Sequence, residues 1–159
     1  SDPISDTFKS YLAGQIKYLP EFLVMLAPTV NSYKRLVPGF WAPTHASWGY
    51  DNRTCALRVL KQSEAATRVE VRLGGSDLNP YLAIAASLAA GLAGIEASLT
   101  LNEKPIVGNA YDFKDAQPFA NNLDKAASLF AASTKAREYF TDSFVEHFSA
   151  TRKWEWQES

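Results

Sequence analysis

Apolar residues recur at three- and four-residue spacings across residues 8–26: Tyr11, Leu12, Ile16, Leu19, Phe22, Leu23 and Leu26 share one face. That period predicts a helix with a buried stripe. Pro20 lies inside it and predicts a break or kink, because proline lacks the N–H and crowds the preceding turn. Pro28 closes the segment. Residues 31–49 show no period. Pro38, Gly39, Pro43 and Gly49 read as a long irregular loop, and Tyr33, Phe40, Trp41 and Trp48 argue against disorder. Ordered loops of that length are commonly functional.

Two strands follow, at 54–61 and 67–73. The second alternates strictly, with Val69, Val71 and Leu73 on one face and Arg68, Glu70 and Arg72 on the other,. Gly74-Gly75 ends it. Asn79 makes a good N-cap and Pro80 a good first helical residue. The helix from there to about residue 99 is almost wholly apolar, which predicts burial on most sides. No charged residue occurs from Leu78 to Ile95. The run is built from Ala and Gly and lacks flanking anchors, so a core helix is favoured over a membrane span. Residues 102–117 read as a loop, and two helices are expected at 122–132 and 134–149. The order predicts an α+β fold, a small antiparallel sheet packed with helices. A pair of strands is marginal alone, which implies that a larger protein supplies neighbours.

Composition changes this picture little. The 159 residues are 47% hydrophobic and 21% charged, as in a globular domain,. A formal net charge of -1 asks for neither nucleic acid nor an anionic membrane,. Cys55 is the only cysteine, so no internal disulfide forms, which fits a reducing compartment,. The start, SDPISDTFKS, lacks the basic and apolar regions of a signal peptide,.

Charge matters locally. Between Arg53 and Arg72 stand four arginines and one lysine against two glutamates. Same-face residues on a strand lie roughly 7 Å apart, so Arg68, Glu70 and Arg72 form a row of alternating sign. Arg58 joins it if the two strands pair. Arg53 sits at the start of the first strand and Arg35 projects from the loop. Arginine's planar fork suits carboxylates and phosphates. The cluster therefore suggests an anionic substrate, with Glu70 free to hold a divalent cation such as magnesium. The plainer reading is a solvated strand face with weak ion pairs. The loop NSYKRLVPGFWAP favours the first reading, since Phe40 and Trp41 could lie over an anion site as a lid. His147 reads as a surface residue, while His45, in the loop, has an open role. Cys55 reads as a buried small hydrophobe. Trp154 and Trp156 are expected to pack on a neighbouring surface or in a subunit contact.

At NSYKRLVPG (31–39), APTHASWGYDNRTCALR (42–58), TRVEVR (67–72) and NPYLAIAASLAAGLAGI (79–95), the chain resembles the glutamine synthetase superfamily. Four linked motifs over about 65 residues are far more specific than one short pattern. The resemblance implies an ATP-dependent ligase that phosphorylates the γ-carboxylate of glutamate and then joins it to ammonia or a primary amine. It implies that Arg35, Arg53 and Arg72 bind glutamate, that Arg53 also meets the transferring phosphoryl group as the catalytic residue, and that Arg58 and Arg68 bind ATP. Glu70 would be a ligand for Mg2+ or Mn2+. A cytoplasmic, ring-shaped homo-oligomer is implied as well.

Two departures stand out. Where glutamine synthetases proper read PGYEAP, this chain reads PGFWAP, so Trp41 replaces a glutamate that handles ammonium. A neutral bulky residue there implies a larger acceptor, as in γ-glutamyl-amine and γ-glutamylpolyamine ligases; a non-catalytic binding relative is a further alternative. The lysine that touches ATP ahead of the RVEVR strand has no counterpart either. The family's N-terminal β-grasp domain and its upstream metal and ATP motifs are not in these 159 residues. The chain thus corresponds to the C-terminal part of the catalytic domain and is expected to be inactive alone. NAYD around Tyr111 resembles a regulatory tyrosine region over three residues, too few to imply modification.

Overall fold

Ser5 caps the first helix, its side chain accepting from the Phe8 N–H at 3.1 Å. A computed structural model describes residues 4–159. The start of the chain, read above as carrying no leader, is described only from Ile4 onward. Helix α1 runs Asp6–Phe22 and carries Pro20 in its last turn. The expected break is not at the proline. The helix continues two residues beyond it and then tightens into a 3-10 turn, Leu23–Met25. Only one backbone hydrogen bond is lost at a proline so near the end, and the next turn is free to rewind.

The sheet has three strands in the order β1 (Trp48–Tyr50), β2 (Leu57–Leu60) and β3 (Arg68–Val71). The expected antiparallel pair is β2–β3, with Arg58 opposite Glu70 and Leu57 opposite Val71. The third strand was hidden in the stretch read as loop. β1 runs parallel to β2, with Gly49 opposite Arg58, so the sheet is mixed rather than wholly antiparallel. Six residues, 51–56, carry the chain from one parallel strand to the other, and Asp51 enters that crossover with a left-handed φ of 47°. Leu57, Val59 and Leu73 are fully buried and Val69 and Val71 pack against the same core. The alternate residues Arg58, Glu70 and Arg72 occupy the opposite face.

Helix α2 (Pro80–Glu96) starts where the sequence places it, with Asn79 accepting from Tyr81 N–H at 2.9 Å. Its burial corrects expectation. Ala83, Ala86, Ala90, Ala93 and Gly94 face inward, while Tyr81, Ile84, Leu88 and Leu92 are exposed, Tyr81 by 84%. The small face is inside because α1 and α2 pack backbone to backbone. A Cβ on Gly14 would lie 2.3 Å from the Ala90 carbonyl oxygen, and one on Gly94 would lie 2.1 Å from that of Ser10. Hydropathy cannot see this, since it ranks residues by transfer energy and not by how closely they let helices approach.

Helices α3 (Leu123–Ala132), α4 (Thr134–Phe140) and α5 (Asp142–Glu158) complete the fold. The second C-terminal helix expected from sequence is two, divided at Thr141, whose φ of 72° no helix accommodates,. Arg137 ties the joint by donating to Asp142, Glu146 and the Ala131 carbonyl. Phe130, Phe140, Phe144 and Phe148 stack and abut beneath it, joining Phe22 of α1. His147 is exposed, as expected. Trp154 is 64% exposed and does not pack down on this chain. Among the described residues no helix is long and apolar enough to cross a membrane.

Candidate active site

The β2–β3 register sets the site. Arg58 and Glu70 are cross-strand partners, and the Arg58 Nη1 donates to Glu70 Oε2 at 3.2 Å. Arg72 follows β3 on the same face, and its Nη1 donates to Glu70 Oε1 at 2.5 Å. One carboxylate thus holds two guanidinium groups. Hydrogen bonding from Arg72, helped by the positive charges of Arg72 and Arg58, holds the Glu70 carboxyl below the usual carboxylate range,. The side chains of Arg58 and Arg72 are only 13% and 18% exposed. They are not part of a freely solvated row.

Asp51 was not foreseen. Its carboxylate accepts from Arg58 Nε at 2.9 Å and from Nη2 as well, filling the fork from the other side. The sequence does carry a signal, since Asp51-Asn52 is a turn pair just before Arg53. What it cannot show is that a parallel crossover folds Asp51 back over β2.

Arg72 is the hub. Besides Glu70 it donates from Nε to the Arg53 carbonyl at 3.0 Å and from Nη2 to the Trp41 carbonyl at 3.1 Å. It therefore joins strand, crossover and loop. Arg35 follows a 3-10 turn, Val30–Lys34, and its Nη2 donates to the carbonyls of Leu73 and Gly74. Burial, and then the nearby charge of Arg72, holds the Arg35 guanidinium below the ordinary arginine range, while Asp77 works the other way. Asp77 in turn accepts from the hydroxyls of Thr29 and Ser32, which fixes the turn carrying Arg35. Arg53 lines a cleft of about 450 Å3 with Trp41, Tyr50, Asp51 and Val107. Arg68 stands apart: it is exposed and bonds back to the Ala66 carbonyl at 3.0 Å.

Phe40 and Trp41 are each 67% exposed at the tip of the loop. Trp41 has a left-handed φ of 56° and follows Gly39 at 92°. Such a conformation persists in a bulky residue only when its surroundings enforce it. Here two successive carbonyls are pinned, that of Trp41 by Arg72 and that of Ala42 by the Tyr111 hydroxyl at 2.7 Å. The segment carrying Tyr111 is itself anchored to the crossover. Asn52 donates to the carbonyls of Ile106 and Gly108, and Thr54 accepts from the Ala110 N–H. His45 forms a bridge with Pro118 and a side-chain hydrogen bond with Thr44. Cys55 is buried, and burial pushes its thiol up to about 11, far from a nucleophile's range,.

Residues 1–159 match the family model described as glutamine synthetase, catalytic domain. The chain belongs to that family. It is 52% identical over 163 residues to type-1 glutamine synthetase 2 of Dictyostelium discoideum, covering 99% of this chain and 31% of that protein. It is 42% identical over 158 residues to a glutamate–isopropylamine ligase of a Pseudomonas species, covering 98% and 34%. Among solved structures, the GmaS/ADP complex in conformation 1 aligns with a TM-score of 0.84 at 31% identity, over 98% of this chain and 37% of that one. This glutamine synthetase-type chain therefore spans about a third of the length of these relatives.

Within this member of the glutamine synthetase family, Tyr111, noted in the sequence only for its resemblance to a regulatory tyrosine region, has a clear structural role in holding the Ala42 carbonyl. Tyr111→Phe removes one partly buried hydrogen bond and releases the Ala42 carbonyl, at a cost of about 1 kcal/mol. The expected result is a thermal midpoint lower by about 2–4 °C for a chain of this size, with faster proteolysis at residues 38–44. Unchanged cleavage and an unchanged midpoint would show that the loop does not depend on it.

Proposed function

We propose that this chain supplies the arginine floor of an ATP-dependent ligase that forms γ-glutamyl amides from glutamate and a primary amine or ammonia. The observation that carries this reading is the network of Arg58, Glu70 and Arg72, tied through Arg72 to the Trp41 carbonyl and beside the cleft that Arg53 and Trp41 line. Family membership gives the reaction class, and the resemblance to a glutamate–isopropylamine ligase supports an amine acceptor.

In this reading a γ-carboxylate oxygen of glutamate attacks the γ-phosphorus of ATP and ADP leaves. The amine nitrogen then attacks the acyl carbon, phosphate departs, and the nitrogen loses a proton. Both steps need positioning and charge neutralisation more than covalent help from the protein. Arg53 faces the transferring phosphoryl group. Arg72 and Arg35 hold the carboxylates of glutamate, and Arg58 and Arg68 the nucleotide phosphates. Asp51 and Glu70 neutralise the guanidinium groups until those anions arrive.

Magnesium, when bound, would neutralise phosphate charge. Among the described residues no group of three His, Cys, Asp or Glu side chains could hold a metal ion. Both Glu70 oxygens accept from Arg58 and Arg72, so Glu70 would serve as one ligand, among phosphate oxygens, water and groups outside this chain, once those guanidinium groups turn to the incoming anions; magnesium commonly takes one or two carboxylates. The reading includes a ring-shaped homo-oligomer working in the cytoplasm. It also requires residues from the remaining two thirds of a longer polypeptide.

The test is release of phosphate from ATP, dependent on both glutamate and an acceptor, by the longest natural polypeptide that carries this sequence. Such release is expected there and absent from the 159-residue chain alone. No glutamate-dependent release with any acceptor would overturn the ligase reading. Turnover by the short chain would overturn the need for groups outside it.

A further inference from the structure

The turn that carries Arg35 is anchored twice. Thr29 and Ser32 cap it reciprocally: Thr29 Oγ1 accepts from the Ser32 N–H at 3.2 Å, and Ser32 Oγ accepts from the Thr29 N–H at 3.1 Å. Each hydroxyl still has one proton to give. Both give it to one oxygen, Asp77 Oδ2, at 2.7 and 2.9 Å. The second anchor comes from the last helix, α5. Glu155 Oε1 accepts from the Val30 N–H at 3.1 Å. Arg152 Nη1 donates to the Pro28 carbonyl at 2.7 Å and to Glu155 Oε2 at 2.6 Å. Pro28, Thr29 and Val30 are thus each tied by a charged side chain.

We propose that Arg152 and Glu155 are positioning residues for glutamate, acting through the turn that places Arg35. This rests on the ligase reading, in which Arg35 holds a glutamate carboxylate, and deepens it.

Val30 opens the 3-10 turn, so its N–H has no partner within the turn,. The Pro28 carbonyl lies ahead of the cap. An ion pair holds both groups more firmly than water or a neutral side chain would, since hydrogen bonds to ionised groups are roughly twice as strong. The pair is itself well seated. The Arg152 and Glu155 side chains are only 22% and 32% exposed. The Arg152 guanidinium lies 5.8 Å from the centre of the Phe148 ring, and that ring packs on Phe130 and Phe144. The clamp therefore refers the turn to the aromatic core.

Arg35 needs that reference. Its Nη2 is shared between the Leu73 and Gly74 carbonyls at 2.7 and 3.0 Å, which fixes the head of the side chain, while the turn fixes its base. Asp77 serves both ends: a Cβ on Gly75 would stand 2.9 Å from Asp77 Oδ1 and 4.0 Å from Arg35 Nε. Freeing the base tilts the head. Carboxylate recognition by a planar fork depends on direction as well as charge, and a misplacement of about 1 Å can cost as much as a hundredfold. An ion pair that served stability alone would lower the thermal midpoint and leave substrate binding untouched well below it.

Steady-state kinetics of the intact ligase, well below its midpoint, separate the two roles. Glu155→Ala should raise KM for glutamate about tenfold, with kcat and KM for ATP within about twofold of the parent. Glu155→Gln keeps an acceptor for the Val30 N–H and should restore most of the lost affinity. Arg152→Leu keeps apolar cover on Phe148 but drops the Pro28 carbonyl. It should raise KM for glutamate in the same selective way, and it carries the test if the alanine variant does not fold. An unchanged KM for glutamate in these variants would overturn the proposal, as would KM for glutamate and ATP rising together. Absence of glutamate-dependent phosphate release by the parent enzyme would instead bring down the ligase reading beneath it.

Discussion

Gly94→Ala should lower the thermal midpoint of this chain by about 6–12 °C, the shift that a loss of about 3 kcal/mol produces at this size. Helix propensity alone predicts the opposite sign, since alanine in a helix interior is worth about 1 kcal/mol over glycine. The geometry reverses it. An added Cβ would stand 2.1 Å from the Ser10 carbonyl oxygen and 2.6 Å from Gly14, all backbone atoms that cannot swing aside. The helices must separate, and the Ser10 to Leu99 and Gln15 to Ser87 hydrogen bonds across the same seam would lengthen with them. Gly91→Ala makes a useful comparison, because the atoms it meets belong to the Tyr11 ring, a side chain with some freedom to move. Its loss should be smaller. Melting followed by circular dichroism decides the matter, and a midpoint unchanged or raised in Gly94→Ala would disprove the close packing of α1 on α2.

The largest functional effect is expected at Arg72. Arg72→Lys keeps the charge but should reduce kcat/KM for glutamate by about a thousandfold in the intact ligase, close to 4 kcal/mol of transition-state stabilisation. Three different nitrogens of the guanidinium reach three acceptors: Glu70, the Arg53 carbonyl and the Trp41 carbonyl. An ammonium is a point donor on a flexible stem and cannot span them. The lysine variant would therefore loosen the crossover that carries Arg53 and the loop that carries Trp41 at once. In the 159-residue chain the same change should speed proteolysis at the loop. Steady-state kinetics with varied glutamate provides the measurement, and a kcat/KM within threefold of the parent would show that Arg72 is not the hub.

Much of this was readable from residue order. Strict alternation from Arg68 to Arg72 places charges and core residues on opposite faces, and Asn79-Pro80 marks the start of α2 to the residue. Other features depend on distant contacts. Trp48–Tyr50 is too short to show a period, and it is a strand only because β2 lies beside it. The outward aim of Ile84 and Leu88 follows from glycines meeting across a helix pair, and Asp51 reaches Arg58 only through a crossover. Arg68 shows the converse: strand parity puts it on the charged face, yet its long side chain turns back to Ala66. Parity fixes where a Cβ points, not where a guanidinium comes to rest.

The parallel pairing of β1 and β2 leaves six residues to reverse the chain twice. A parallel return ordinarily takes a dozen or more, so this one has no slack. Adding or removing a residue between Tyr50 and Leu57 would rotate β2 by half a period, sending Arg58 inward and Leu57 to water. The spacing from Arg53 to Arg58 is thus a mechanical dimension of the molecule, as fixed as a bond length in its bearing on whether the floor can exist.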